Sequence, residues 1–220
     1  MIEIAFSEAY RQAGIDVWLG CLSCSVLVAE NDLLWSQIDT VCRKMASEIC
    51  IEDIAKNPAI AASRRVYKTF GKDPARYRLS AEALMRRVVK GDGLYRVNNV
   101  VDIVNLVSLE TGFSIGGYDE GLVQFPVCMD VGKPTDEYFG IGRGLLNIES
   151  LPVLRDLAGP FGSPTSDSVR TAVNAATRRF FMVIFGFGNT QQIEPAINHA
   201  RELLLKYAGA NDAEHWIIKT

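Results

Sequence analysis

The chain has 220 residues and a net charge of −3, with 48% hydrophobic and 22% charged residues, the balance of a soluble globule able to bury roughly 70% of its surface. No apolar run approaches the roughly 18 residues of a membrane span, and the acidic start MIEIAFSEAY lacks the basic region of an export signal, so no membrane partner is expected. Five cysteines, an odd number, fit reduced thiols in a cytoplasmic location better than a disulfide framework.

In chain order, residues 2–6 read as a strand, and residues 15–28 as a β-rich stretch with Val17, Leu19, Val26 and Val28 at period two. Asn31 or Asp32 caps a helix running to about Cys50, with Leu34, Ile38, Val41, Met45 and Ile49 on its buried stripe. Pro58 opens a short helix. After a Gly71- and Pro74-punctuated loop, Ser80 reads as the N-cap of a helix that stops at Gly91. A further helix runs from about Asn99 to Glu110 and is stopped by Gly112. From Phe113 to Gly188, short apolar runs between glycines and prolines predict sheet and turn; FFMVIF, apolar on both sides, predicts a central strand covered on two faces. Glu194-Pro195 begins a closing helix with Ala196, Ile197, Ala200, Leu203, Leu204 and Tyr207 on its buried stripe, and Gly209 ends it. Helices early, strands later and a closing helix define an α+β chain, with a central mixed or antiparallel sheet or sandwich core covered by helices. The whole is expected to be a single domain over residues 1–220, with 1–60 as a strand-helix elaboration and 61–210 as the core.

Familiar catalytic constellations are missing. Cys21 and Cys24 are three apart on an expected strand, so their sulfurs point to opposite faces and cannot share a metal; no metal or other cofactor is expected. His199 and His215 have no evident nucleophile beside them. The glycine-rich Gly140–Gly144 stretch lacks the Lys-Ser/Thr pair of a phosphate loop and reads as a turn. A hydrolase built on this chain would have to position a water and a scissile carbonyl with backbone groups and one or two polar side chains.

Charge is distributed unevenly. Between Arg64 and Arg96 ten basic residues face three acidic ones, a local +7, and the remainder carries −10. Tyr67, Phe70, Tyr77 and Tyr95 are interleaved with them. Such a segment is either the electrostatic footprint of a polyanion or a set of solvated helix faces whose acidic partners lie elsewhere in the fold.

The stretch VVDIVNLVSLETGFSIGGYD (100–119) is the most informative. Asp102, Asn105 and Ser108 recur every third place in a helix with no plainly polar face, so the helix should be largely buried and its polar groups hydrogen-bonded. Asp102 can cap a neighbouring backbone segment; Asn105 either bridges structural elements or lines a pocket. Gly116-Gly117 either lets a ligand approach the backbone or marks a bend.

Residues 67–187 resemble the B3/4 domain, the editing domain of the bacterial phenylalanyl-tRNA synthetase beta subunit, which also occurs free-standing. The resemblance is carried by DPARYRLS, by the NNVVDIVNLVSLETG helix, by the glycine-bearing strand ending in Tyr118-Asp119, and by GPFGSPTSDSVRT with the FFMVIFGF strand. It implies a site on the sheet that takes a tRNA 3′ end and hydrolyses an aminoacyl ester, either on aminoacyl-tRNA or on a small amino-acid-like ligand. The family's pocket Asn falls on Asn105. Its Thr falls on Val104, its His on Gly116, the following small residue on Gly117, and its tyrosine-reading Glu at about Val183, so three polar positions are absent. Selection of a phenolic substrate needs a buried polar partner, which Val183 does not offer. The expected substrate-binding set is Asn105, Gly116, Gly117, Tyr118, Asp167 and Arg170, with Arg170 clamping a carboxylate or phosphate. The expected RNA-binding set is Arg64, Arg65, Lys68, Arg78, Arg86 and Arg87. The alternative is a non-catalytic module that binds an amino acid or small metabolite.

Overall fold

The computed structural model describes residues 2–188 and 191–220. Strand β1 (Ile4–Phe6) leads into a one-turn helix α1 (Glu8–Gln12) and a long strand β2 (Val17–Ser25). Four helices follow: α2 (Asp32–Glu48), α3 (Pro58–Thr69), α4 (Ser80–Val89) and α5 (Asn99–Thr111). Next come strands β3 (Ser114–Asp119), β4 (Val127–Val131), β5 (Phe139–Gly140), β6 (Gly144–Leu145), β7 (Pro152–Asp156), β8 (Gly159–Gly162) and β9 (Arg179–Phe187). Helix α6 (Ile193–Tyr207) and strand β10 (Asn211–Lys219) close the chain.

Asparagines start three of the helices. Asn31 accepts the Leu34 N–H, Asn57 those of Ala59 and Ile60 with Pro58 in the first turn, and Asn98 that of Val101. Each occupies a donor that the first turn leaves free. Gly112, at φ 78°, ends α5 in the left-handed region that glycine enters without steric cost. Ser80 does not cap α4 as expected. It is the helix's first residue, Leu79 holds the cap position, and the Ser80 N–H is donated to the Pro164 carbonyl at 2.8 Å. Residues 211–219, beyond the last element read from the sequence, form β10 along β2.

Strands β5 and β6 pair as a separate hairpin, and the other eight form two four-stranded sheets. One is antiparallel throughout, in the order β10-β2-β9-β3; the other has the order β1-β4-β7-β8, with only β1 and β4 parallel. The division expected at residue 60 does not coincide with a break in the sheet, because β2 pairs with β9 along its whole length. As FFMVIF implies, β9 lies inside a sheet covered on both faces. Phe180, Met182 and Ile184 enter a core shared with α2, α4, α5 and α6. Phe181, Val183 and Phe185 enter a second core shared with β1, β4, β7 and β8. The period-two alternation of a strand sends neighbouring residues to different cores, and Cys21 and Cys24 separate in the same way. The architecture is α+β, with a helical layer, a central sheet and a second sheet.

Helix α6 lies against the central sheet where two glycines remove side chains. A Cβ on Gly20 would stand 2.7 Å from Ile193 Cγ2, and one on Gly186 would overlap Ile193 Cδ1 and lie 3.0 Å from the Trp18 carbonyl. Overpacking such a contact costs about 1–3 kcal/mol. Gly186→Val is therefore expected to lower the urea midpoint by that much stability, with no change in the cavity described next.

Candidate functional site

The polar side chains of α5 are nearly all committed to the fold. Asn99 receives the Ala29 N–H and donates to the carbonyls of Leu27 and Tyr207, each at 2.9 Å, joining the helix start to the segment after β2 and to α6. Asp102 accepts the Val97 N–H at 2.9 Å and the Trp35 indole N–H at 2.7 Å. Ser108 donates to the Phe113 carbonyl at 2.7 Å. Asn105 is half-buried, and among the described residues nothing hydrogen-bonds its amide. It lines a cavity of about 220 Å³.

The cavity lies between the helical layer and the central sheet. Ser80 and Leu84 of α4, Val101, Val104 and Asn105 of α5, and Gly117 of β3 form part of its wall. Phe180 of β9 and the 163–173 segment, with Ser163, Ser166 and Asp167, form the rest, and Ile141 of the short β5–β6 hairpin reaches its edge. The lining is largely apolar, with a few polar groups, the usual character of a small-ligand site; the volume is below the roughly 300–1,000 Å³ of drug-sized ligand sites. Gly117 matters for space: a Cβ there would sit 3.1 Å from Phe180 and 3.4 Å from Val104.

Among the described residues, Asp167 is the one ionisable side chain on this wall. Its carboxyl accepts the Tyr118 O–H at 2.9 Å and the Gly117 N–H at 3.2 Å. Burial pushes it up from 3.8 to about 7, outweighing those donors and the Ser163 N–H, which favour the ionised form. The surrounding turn is held by two further phenols: Tyr67 bonds Thr165 Oγ1 at 2.8 Å, and Tyr138 donates to the Ser166 carbonyl at 2.6 Å. Burial raises the hydroxyls of Tyr118 and Tyr138 well above 10.0, so both remain protonated.

Of the residues expected to bind substrate, the structure brings Asn105, Gly117 and Asp167 together. It places the others elsewhere. Gly116 and Tyr118 lie on the opposite face of β3, toward the second sheet, with the Tyr118 ring packed edge-on to Phe161 at 4.9 Å. The space over Gly116 is filled by the Tyr118 hydroxyl, so Gly116 gives no room to a ligand. Val183 pairs with Gly116 across the strands and shares that face. Arg170 does clamp a carboxylate, but it is the chain's own. Its guanidinium donates to both oxygens of Asp156, at 2.8 and 3.0 Å, and to the Gly159 carbonyl. Among the lining residues that sequence reasoning missed, Ser80, Ser163, Ser166 and Phe180 stand inside the segments that carried the family resemblance, and Leu84 and Ile141 stand outside them.

The expected RNA-binding set is also partly committed. Arg64 and Arg86 bind the buried carboxylate of Glu82 at 2.8 and 3.0 Å, with Arg78 at 3.9 Å. Arg87 stacks on Tyr95, with its guanidinium 4.0 Å from the ring centroid, and donates to the Asp92 carbonyl. Arg96 pairs with Glu30 and Asp32, outside the basic segment. Arg65 and Lys68 are exposed on α3. Tyr67, which the sequence places among these basic residues, is fully buried. His199 Nε2 lies 2.8 Å from Glu110, and this carboxylate raises the His199 pKa. Among the described residues no cluster of His, Cys, Asp or Glu could hold a metal ion, and no helix is long and apolar enough to cross a membrane.

Fold and cavity together define an α+β domain with a small site between a helical layer and a central antiparallel sheet. The B3/4 domain matches residues 62–209, and the chain belongs to that family. It is similar to an N-terminal fragment of the phenylalanyl-tRNA synthetase beta subunit from Pyrococcus horikoshii, at 14% identity and a TM-score of 0.48, over 100% of this chain and 56% of that one. No curated protein matches.

The carboxyl of Asp167 yields a test. Its folded value, about 7, is above its ordinary 3.8, so between those values the folded state keeps a proton that the unfolded chain releases. Stability from this residue is therefore fully present at low pH and falls as pH rises toward 7, by up to about 4 kcal/mol. Asp167→Asn keeps an acceptor for Gly117 and a polar partner for Tyr118 but cannot ionise. Urea unfolding across that range should show a smaller decline for the variant than for the wild type.

Proposed function

We propose that the cavity beside Asn105 receives the aminoacyl group of an aminoacyl-tRNA 3′ end, or of a similar aminoacyl ester, in the cytoplasm, and that a water positioned there hydrolyses the ester. The observation that carries this reading is the unpaired Asn105 amide on a cavity wall whose other side is bare backbone at Gly117. Membership of the B3/4 family supports it.

In this reading the Asn105 N–H₂ donates to the ester carbonyl oxygen as negative charge develops there. A pre-oriented donor works best in a water-poor, largely apolar cavity. Water adds to the carbonyl carbon, the ester C–O bond breaks, and the ribose hydroxyl and the free amino acid leave. Arg65 and Lys68 are exposed on α3 and available to the phosphates of the acceptor end. A second reading, a non-catalytic binder of an amino acid or small metabolite, is favoured by the arginines already committed to Glu82 and Asp156.

A panel of mischarged tRNAs tests the first reading. At micromolar protein, at least one should be deacylated, and Asn105→Ala should slow it about 10²–10³-fold, the cost of one lost oxyanion donor. No turnover on any of them rejects hydrolysis. Titrating tRNA binding against salt separates the two readings: binding through phosphates weakens steeply as salt rises, whereas a small uncharged-tail ligand hardly responds.

A further inference from the structure

We propose that Asp167 is a specificity-determining residue of the cavity, an anionic counterpart for a primary ammonium, and that the ligand is an amino acid whose amino group is free and whose carboxyl is esterified or amidated. This rests on the reading of the cavity as an aminoacyl site and names what that site selects.

The argument starts from the charge of the lining. Among the described residues around the cavity, Asp167 alone is ionisable, and none is positively charged. The segment that carries Asp167 also carries a cation, but Arg170 is turned to Asp156 and held there by two hydrogen bonds. Arg64, Arg78 and Arg86 are gathered on Glu82. A ligand carboxylate entering this apolar space would lose its hydration and find no cation, a penalty that buried ions incur unless paired. An ammonium would meet a carboxylate.

The geometry of Asp167 fits that task. Tyr118 binds Oδ1, Gly117 binds Oδ2 and the Ser163 N–H also donates to the carboxyl, which fixes its plane and leaves one of its roughly four acceptor positions for a further donor. No charged side chain neutralises it. The titratable groups facing it are Tyr118 from β3 and, on the far side of the 163–168 turn, Tyr138, and both stay neutral. Burial without a cationic partner holds the carboxyl near 7, so an incoming ammonium would favour its ionised form. The apolar residues Leu84, Val101, Ile115 and Phe180 suit the remainder of a hydrophobic aminoacyl group. The same arrangement disfavours the hydrolysis product, since a free amino acid brings a second, uncompensated charge.

Calorimetric titration of the whole chain with hydrophobic amino-acid amides, their N-acetyl derivatives and the free amino acids tests this. At least one amide should bind, with its N-acetyl form at least tenfold weaker for the loss of one charge-assisted hydrogen bond, and its free acid at least tenfold weaker because its carboxylate is desolvated without a cation. Asp167→Asn should weaken the amide at least tenfold and bind amide and N-acetyl amide alike, whereas Asn105→Ala should weaken both and keep the preference. A second readout needs no variant: near pH 6, where Asp167 is largely protonated, amide binding to the wild type should release a proton to the buffer, seen as a heat that changes with buffer ionisation. Equal binding of the N-acetyl form, no proton release, or no binding of any amide overturns the inference. Amide binding without any tRNA deacylation would instead reject hydrolysis and leave this inference standing.

Discussion

The site depends on one carboxyl group. Asp167 takes a hydrogen bond from the backbone of β3 and another from a tyrosine on the opposite face of the same strand. That junction ties the 163–168 turn directly to the edge of the central sheet and so helps to set the width of the cavity between them. The residue is expensive to keep there, as its raised pKa records. Buried polar groups of this kind are high-stakes, since fully satisfied they specify one arrangement and half-satisfied they destabilise.

The same economy governs α5. A helix buried nearly all round must find a partner for every polar group. Asn99, Asp102 and Ser108 find theirs in the backbone or in an indole, and in doing so dock α5 against the segment after β2, α2, α6 and the start of β3. Asn105 is the exception in the series, and its position against a cavity accounts for it. The charged residues show the converse. Glu82, 1% exposed, gathers three arginines and holds α3 to α4, so much of the basic segment's charge serves the interior edge of the helical layer.

These outcomes explain what could be read from the sequence. The long elements were legible because their signals are local: a cap at Asn31, helix-opening prolines, apolar stripes at helical spacing, and a two-faced apolar strand. The cap of Asp102 was legible for a similar reason, since a carboxylate at the start of an apolar helix has few alternatives. Which of two adjacent glycines faces the cavity was not legible, because it turns on the pairing register, and a shift of one residue exchanges the faces of a strand. The fates of Arg170 and Arg64 were hidden too. Their partners, Asp156 and Glu82, are 14 and 18 residues away and meet them only once sheets and helices have packed. Helix α1 has only five residues, too few for a periodic signal, and β10 has weak alternation that reads as polar tail.

Three phenols, Tyr67 from α3, Tyr118 from β3 and Tyr138 from the segment before β5, anchor consecutive residues of one turn. Their anchoring points come from separate parts of the chain, so the turn cannot yield at one without straining the other two. A ligand in the proposed site would thus meet a surface whose shape was settled during folding. The entropy of arranging it has already been spent, and little of the ligand's binding energy is diverted to ordering that wall.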